Sequence, residues 1–388
     1  MLNFQEVDVQ TFLKEYWQKK PLVFRKAIPN FVNPIPPDEL AGLALEDDVE
    51  SRIVIETPGE NKQWHLKNGP FSENDFKKLP KTNWTLLVQA VDRLIPEVYN
   101  LLDHFDFIPQ WRIDDVMISF ATLHGGVGPH YDNYDVFLYQ AKGSRKWSLT
   151  TQKCTVDNYL QDTDLRIMKE FNTEEDYILE EGDMLYLPPH VGHYGISLSE
   201  ECLTYSFGYR SYQGLELWDS LADYASMNQC FSQLYQDPDW SLVKNTSELH
   251  PQAWQQAQKL LLKLIQDEHL IKSWFGSFAT TLDRQAHEYL PEPLDEDKAS
   301  FLQELTSTTC FERNPLCRFA YVHTDSEYKL YINGQDWPVA GVSGEVISLV
   351  ANNRLINTEK LKQSLQTPAD EAFIYELWKL QWLVSVEE

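Results

Sequence analysis

The sequence predicts an α+β chain: a double-stranded β-helix, or jelly roll, then a helical region, then a winged-helix-like end. Three observations predict it. Between about 111 and 210, short β-type runs are separated by Gly, Pro and Asp at the spacing of a sandwich or barrel. After about 212, apolar residues recur at helical intervals. From 301 onward, helix and strand patterns alternate. A chain of 388 residues is too long for one ordinary domain. The expected divisions are 1–212 for the β-helix domain, 213–297 for the helical region and 298–388 for the winged-helix-like domain.

The elements follow in order. Val9, Phe12, Leu13, Tyr16 and Trp17 fall at helical spacing over 8–20, and an extended Pro21-Leu22-Val23-Phe24 follows. Pro29, Pro34, Pro36 and Pro37 punctuate a loop, after which Asp38 is a helix start. Residues 52–56 read as a strand closed by a Pro58-Gly59 turn, and 84–102 as a strand-like run and a helix broken near Pro96. Strands are expected at 116–122, 136–140, 145–150, 176–179, 184–187 and 203–209. Leu215, Trp218, Leu221, Ala222 and Ala225 form one apolar stripe, and Trp254, Ala257, Leu261, Leu264 and Ile265 another. Such stripes pack on each other within one chain or against a second copy, and periodicity does not separate the two. Pro291 to Asp297 reads as a linker. A helix at 301–306, strands at 318–323 and 328–332, an Asn333-Gly334 turn, further helices and a strand at 382–386 complete the chain.

Composition narrows the function classes. Hydrophobic residues make up 43%, enough for a sizeable core. The formal charge of −26 opposes non-specific binding to nucleic acid and favours a basic partner, unless it serves solubility alone. Residues 301–388 hold seven Lys and Arg against twelve Asp and Glu, a net −5, so the winged-helix-like end is not expected to bind DNA. Cys154, Cys202, Cys230, Cys310 and Cys317 are scattered without a zinc spacing, as expected of reduced thiols in a cytoplasmic protein. No signal peptide is visible, and no run of about 18 apolar residues would span a membrane.

His130-Tyr131-Asp132, followed 61 residues later by His193, carries the chemistry. Two imidazoles and one carboxylate can hold one face of an Fe(II) ion and leave three positions for cosubstrate and dioxygen. Positions i and i+2 of an extended segment share a face, so His130 and Asp132 can reach one metal. Gly182, Pro188 and His193 keep the spacing of the second cupin motif, but His190 stands where that pattern usually has Gly. Spacing favours His193 as ligand over His190. On the strand from 145, Arg145, Trp147 and Leu149 share an inward face. A buried guanidinium needs a partner: a dicarboxylate cosubstrate bound bidentately, or an Asp or Glu of the chain. Ser119 and Ala121, small and at alternate positions of an earlier strand, leave room for a cosubstrate.

These residues resemble the JmjC family of Fe(II)- and 2-oxoglutarate-dependent oxygenases, and more narrowly the bacterial ribosomal oxygenases. The likeness also includes the segments 16–23, 117–120, 125–130, 134–137 and 206–210 and extends over nearly the whole chain. It implies iron on His130, Asp132 and His193, and the distal carboxylate of 2-oxoglutarate on Arg145. It implies hydroxylation at the β-carbon of an arginine in large-subunit ribosomal protein sixteen, a basic partner, and homodimerisation through the helical region. Ala121 stands where the family is expected to carry a serine that helps bind 2-oxoglutarate; neighbouring Thr122, or Ser119, is the candidate to compensate. The competing functions are oxygenation of another basic protein or RNA, and a catalytically silent cupin scaffold in ribosome assembly.

Overall fold

Strand alternation builds the first of two compact units, Met1–Ser211; the second is Tyr212–Glu388. The structure, a computed structural model, describes residues 1–386 except 6, 60–62, 153–157, 161, 162, 164, 240–244, 325 and 326. Cys154 lies outside the described residues.

The first unit holds β1 (Leu22–Phe24), β2 (Ser51–Thr57), β3 (Gln63–Asn68), β4 (Trp84–Val88), β5 (Ile113–Ala121), β6 (Asp135–Lys142), β7 (Arg145–Thr150), β8 (Glu175–Leu179), β9 (Met184–Leu187), β10 (Gly192–Ser197) and β11 (Cys202–Tyr209). The larger sheet runs β1-β9-β6-β11-β5-β4-β2-β3 and the smaller β10-β7-β8. From β6 onward the chain passes between the sheets: β7 and β8 lie in the smaller, β9 in the larger, β10 in the smaller and β11 in the larger. That path is the expected double-stranded β-helix.

The strand β6 shows why an unbroken apolar run was needed here. Successive side chains point to opposite faces. Val136 and Leu138 pack with Trp147, Leu149, Leu179, Leu185 and Leu187, residues drawn from both sheets. Phe137 and Tyr139 face the other way, into a cluster with Phe12, Phe24, Phe105, Tyr186 and Phe207. The larger sheet is therefore buried on both faces at β6. Within the second cluster Phe105 and Phe207 stand 4.4 Å apart and Phe137 and Tyr186 4.9 Å, centroid to centroid. Each such burial contributes roughly 1.5–3 kcal/mol.

A buried carboxylate closes the start of β6. Asp135 accepts from Tyr186 Oη at 2.6 Å and pairs with Arg112 at 3.3 Å. Burial raises its pKa, and the Tyr186, Gln18 and Arg112 contacts oppose that rise. The network fixes the end of the segment that carries His130 and Asp132.

Two strands of this unit do not show in the apolar pattern. The edge strand β3 is half-buried only at Trp64 and Leu66 among its side chains. The strand β10, which bears His193, contains Gly192 and Gly195, and glycine weakens a strand. The packing explains Gly195: a Cβ there would stand 2.6 Å from the Trp147 ring.

In the second unit, the helices Gly214–Met227, Pro251–Gln266 and Glu268–Thr280 share a small core of Leu221, Ala225, Leu264, Leu270 and Trp274. Leu221, Ala225 and Leu264 of the expected stripes are thus packed, whereas Leu215, Trp218, Trp254, Leu261 and Ile265 remain exposed. The rest of the unit has two three-stranded sheets. One orders Leu355–Asn357, Cys310–Arg313 and Leu383–Val386; the other orders Phe319–Thr324, Glu327–Ile332 and Gln335–Trp337. Helices Lys298–Ser307, Gly344–Asn352 and Pro368–Lys379 supply Phe301, Ile347, Leu377 and Trp378 to its core. Asn333 and Gly334 both take positive φ, 51° and 82°, and join Ile332 to Gln335 as the expected tight hairpin turn. Among the described residues no helix is long and apolar enough to cross a membrane.

Candidate metal and cosubstrate site

The site begins with a two-residue bridge. His130 donates its backbone N–H to the His193 carbonyl at 3.0 Å, and His193 donates to the His130 carbonyl at 2.7 Å. This pairing places the rings side by side, with centroids 4.2 Å apart. The sequence expectation of a strand under His130 and Asp132 is met only at this bridge, because β6 starts at Asp135. Asp132 nonetheless turns to the same point: its Oδ2 lies 3.6 Å from His193 Nε2. One ligand atom each from His130, Asp132 and His193 fall within 4.8 Å of one another.

The outward nitrogens are set by the backbone. His130 Nδ1 lies 2.9 Å from the Gly128 carbonyl, and His193 Nδ1 3.1 Å from the Val191 carbonyl. A carbonyl only accepts, so each Nδ1 carries the proton and each Nε2 is left as a lone-pair donor. Burial, and then the charge of His130, push the His193 pKa down to about 4. His193 is therefore neutral at neutral pH, as a metal ligand must be.

The structure separates His193 from His190. The His190 side chain is exposed, and its ring lies 6.0 Å from that of Tyr131. It is not part of the ligand cluster. Its backbone N–H instead donates to the Asp132 carbonyl at 2.8 Å, at a φ of 68°. A left-handed residue is what glycine supplies without steric cost, which accounts for glycine in the usual motif at this position.

A cavity of about 510 Å³ opens on the triad and is also lined by Arg145, Trp147, Ser119 and Thr204. Arg145 is 3% exposed. Its Nε donates toward Cys202 Sγ at 3.4 Å, and its guanidinium lies 5.5 Å over the Trp147 ring. One terminal nitrogen is buried without a hydrogen-bond partner, as is Trp147 Nε1. Among the described residues no carboxylate pairs with Arg145, so none of them forms the internal ion pair entertained from sequence. An orphaned buried donor is costly, and a carboxylate in the cavity would satisfy it. The donor set and this guanidinium fit a metal and an anionic cosubstrate.

The other expected residues divide. Ser119 lines the cavity, with Oγ donating to the Thr204 carbonyl at 3.4 Å. Ala121 and Thr122 are buried but do not line it, and Thr122 Oγ1 is engaged by the backbone of Trp84. Sequence reasoning did not single out Cys202, Gln140 or Thr204. Their signal is only positional, since Thr204 and Cys202 lie two apart on β11, on the face that Ala121 shares across the β5 pairing.

A JmjC domain model matches residues 100–217, and a ROXA-like winged-helix model matches 263–384. The ribosomal protein uL16 3-hydroxylase of Escherichia coli is 39% identical over 282 residues, covering 73% of this chain and 74% of that protein. The chain belongs to the JmjC ribosomal oxygenase family. A probable ribosomal oxygenase of Haemophilus influenzae is 33% identical over 348 residues, covering 85% of this chain and 82% of that one. The solved structure of YcfD, a ribosomal oxygenase from Escherichia coli, in complex with cobalt and 2-oxoglutarate matches with a TM-score of 0.83 at 31% identity, covering 99% of each chain. The JmjC match spans His130, Asp132, Arg145 and His193, and the winged-helix match meets the expected fold of the C-terminal end.

Proposed function

We propose that this ribosomal oxygenase is an Fe(II)- and 2-oxoglutarate-dependent hydroxylase of an arginine in large-subunit ribosomal protein uL16. The observation that carries the cosubstrate reading is buried Arg145, which lines the same cavity as the triad and has a terminal nitrogen without a partner. The identity to the Escherichia coli uL16 3-hydroxylase supports the substrate.

His130, Asp132 and His193 would hold the iron through two Nε2 atoms and a carboxylate oxygen. Arg145 would hold the distal carboxylate of 2-oxoglutarate, with Ser119 on the same cavity wall. When bound, iron and 2-oxoglutarate would activate dioxygen, with decarboxylation to succinate, and supply the oxidant for the target C–H bond. The chain's own part is orientation and exclusion of water: Val136, Leu138 and Trp147 give the cavity its apolar lining. A net charge of −26 favours approach of a basic ribosomal protein, which would be met in the cytoplasm. We propose further that 1–212 is the catalytic domain, that 213–297 dimerises through exposed Leu215, Trp218, Leu261 and Ile265, and that 298–388 is the winged-helix-like domain. Light scattering of the full chain tests the dimer. A monomer at micromolar concentration would refute it.

The substrate test is mass spectrometry of uL16 after incubation with the iron-loaded chain, 2-oxoglutarate and air. One added oxygen on an arginine is expected. Oxygen on another basic protein or on RNA, but not on uL16, would replace the substrate. No 2-oxoglutarate turnover with any of them would favour the silent scaffold.

A further inference from the structure

We propose that Cys202 is the positioning residue of the cosubstrate anchor, holding Arg145 by its Nε at the cavity wall. This rests on the reading of Arg145 as the 2-oxoglutarate anchor.

Three observations meet at this thiol. Cys202 pairs directly with Ala121 across β11 and β5, and directly opposed residues project to the same face of a sheet. Residue 121 is apolar, so the polar group at this pair comes from β11. Cys202 Sγ accepts from Arg145 Nε at 3.4 Å and from Gln140 Nε2 at 3.2 Å. Gln140 Oε1 in turn accepts from Thr204 Oγ1 at 3.3 Å, and Thr204 reaches the cavity wall. The whole line from Thr204 to Arg145 is buried. The contact at Nε restrains the guanidinium, which lines the cavity and keeps one terminal nitrogen without a partner.

The two residues expected to compensate for Ala121 are spent elsewhere. Ser119 Oγ is on the Thr204 carbonyl and Thr122 Oγ1 on the backbone of Trp84. Electrostatics agree with the geometry at Cys202. Burial pushes its thiol up, but the Arg145 guanidinium, with hydrogen bonds from Arg145 and Gln140, outweighs burial and holds it below the ordinary range. The donor is a charged guanidinium, and a charge-assisted contact is stronger than a neutral one.

The test compares the full chain with C202A, C202S, the A121S/C202A pair and R145A. Titration calorimetry of the manganese-loaded protein reads binding of 2-oxoglutarate and, as control, pyruvate, which lacks the distal carboxylate. In C202A, 2-oxoglutarate binding should weaken about tenfold, the worth of one hydrogen bond to a charged group, while pyruvate binding holds. Turnover of the iron-loaded chain should show the loss in KM rather than kcat. C202S should recover most of the affinity, and so should A121S/C202A. Unchanged 2-oxoglutarate binding in C202A, or equal losses for both ligands, would overturn the proposal. Should C202A fold poorly, C202S and the paired variant still decide against the native chain: a tenfold loss of 2-oxoglutarate affinity in both, with pyruvate binding held, overturns the proposal. If R145A keeps full affinity for 2-oxoglutarate, the anchor reading itself falls.

Discussion

His130 and His193 exchange both backbone hydrogen bonds, at 3.0 and 2.7 Å, and this single bridge brings the two imidazoles within 4.2 Å of each other. The ligand geometry is thus preset by main chain. His193→Ala leaves the backbone bridge possible but removes Nε2, so metal affinity and turnover should be lost together. His190→Ala should keep both. His190→Gly should also raise stability by about 1 kcal/mol, because a left-handed φ of 68° strains any side chain there. Metal titration and thermal melts of the three variants check this. Loss of metal in His190→Ala with retention in His193→Ala would reverse the ligand assignment.

Gly195 is a packing requirement of the same strand. Gly195→Ala would bring a methyl 2.6 Å from the Trp147 ring, and the ring cannot retreat without moving Arg145 above it or His193 beside it. We expect a loss of roughly 1–3 kcal/mol and weaker 2-oxoglutarate binding, read by denaturant unfolding and by titration. A neutral outcome in both would show that the wall is soft.

The pH dependence of stability should carry the mark of Asp115. Its pKa is raised to about 7 by burial first and then by the charges of Asp92 and Asp114, while Ala90 N–H and the Gln89 amide oppose the rise. A carboxyl whose folded pKa lies above its unfolded value stabilises the fold while protonated. That contribution is full below the unfolded value of about 4 and is lost as pH rises through about 7. Asp115→Asn keeps an acceptor for Ala90 N and Gln89 Nε2 and should flatten this slope. The variant should be more stable than the native chain at pH 8, by an amount on the order of 1–3 kcal/mol. Urea unfolding from pH 4 to 8 measures it; parallel slopes would contradict it.

Phe137→Ala should cost about 3–5 kcal/mol. Phe137 is fully buried against Tyr186, Phe105 and Tyr209. It stands two residues after Asp135, so the loss should reach metal binding as well as the melting temperature. A destabilised variant with native metal affinity would separate the core from the site.

Much of this was legible in the residues. The unbroken apolar run of β6 marks a strand covered on both faces, the alternation of β7 and β11 marks strands, and the Asn333-Gly334 pair marks its turn because both residues accept positive φ. The inward side of Arg145 was legible from Trp147 and Leu149. The strand under His193 was not, because Gly192 and Gly195 are there for close approach to Thr150 and Trp147, not for strand propensity. Nor was the contact of Cys202 with Arg145, since no local pattern tells a thiol beside a guanidinium from one in a plain core. Cys317 is such a thiol, its pKa pushed up to about 12 by burial.

The most direct measurement is the mass spectrum of uL16 after reaction with the iron-loaded full chain and 2-oxoglutarate. We predict one oxygen atom added to one arginine, with an equivalent of succinate formed, and neither change with His193→Ala. Succinate and an oxygenated arginine with His193→Ala as with the native chain, or no oxygen on uL16 from the native chain, would contradict the account.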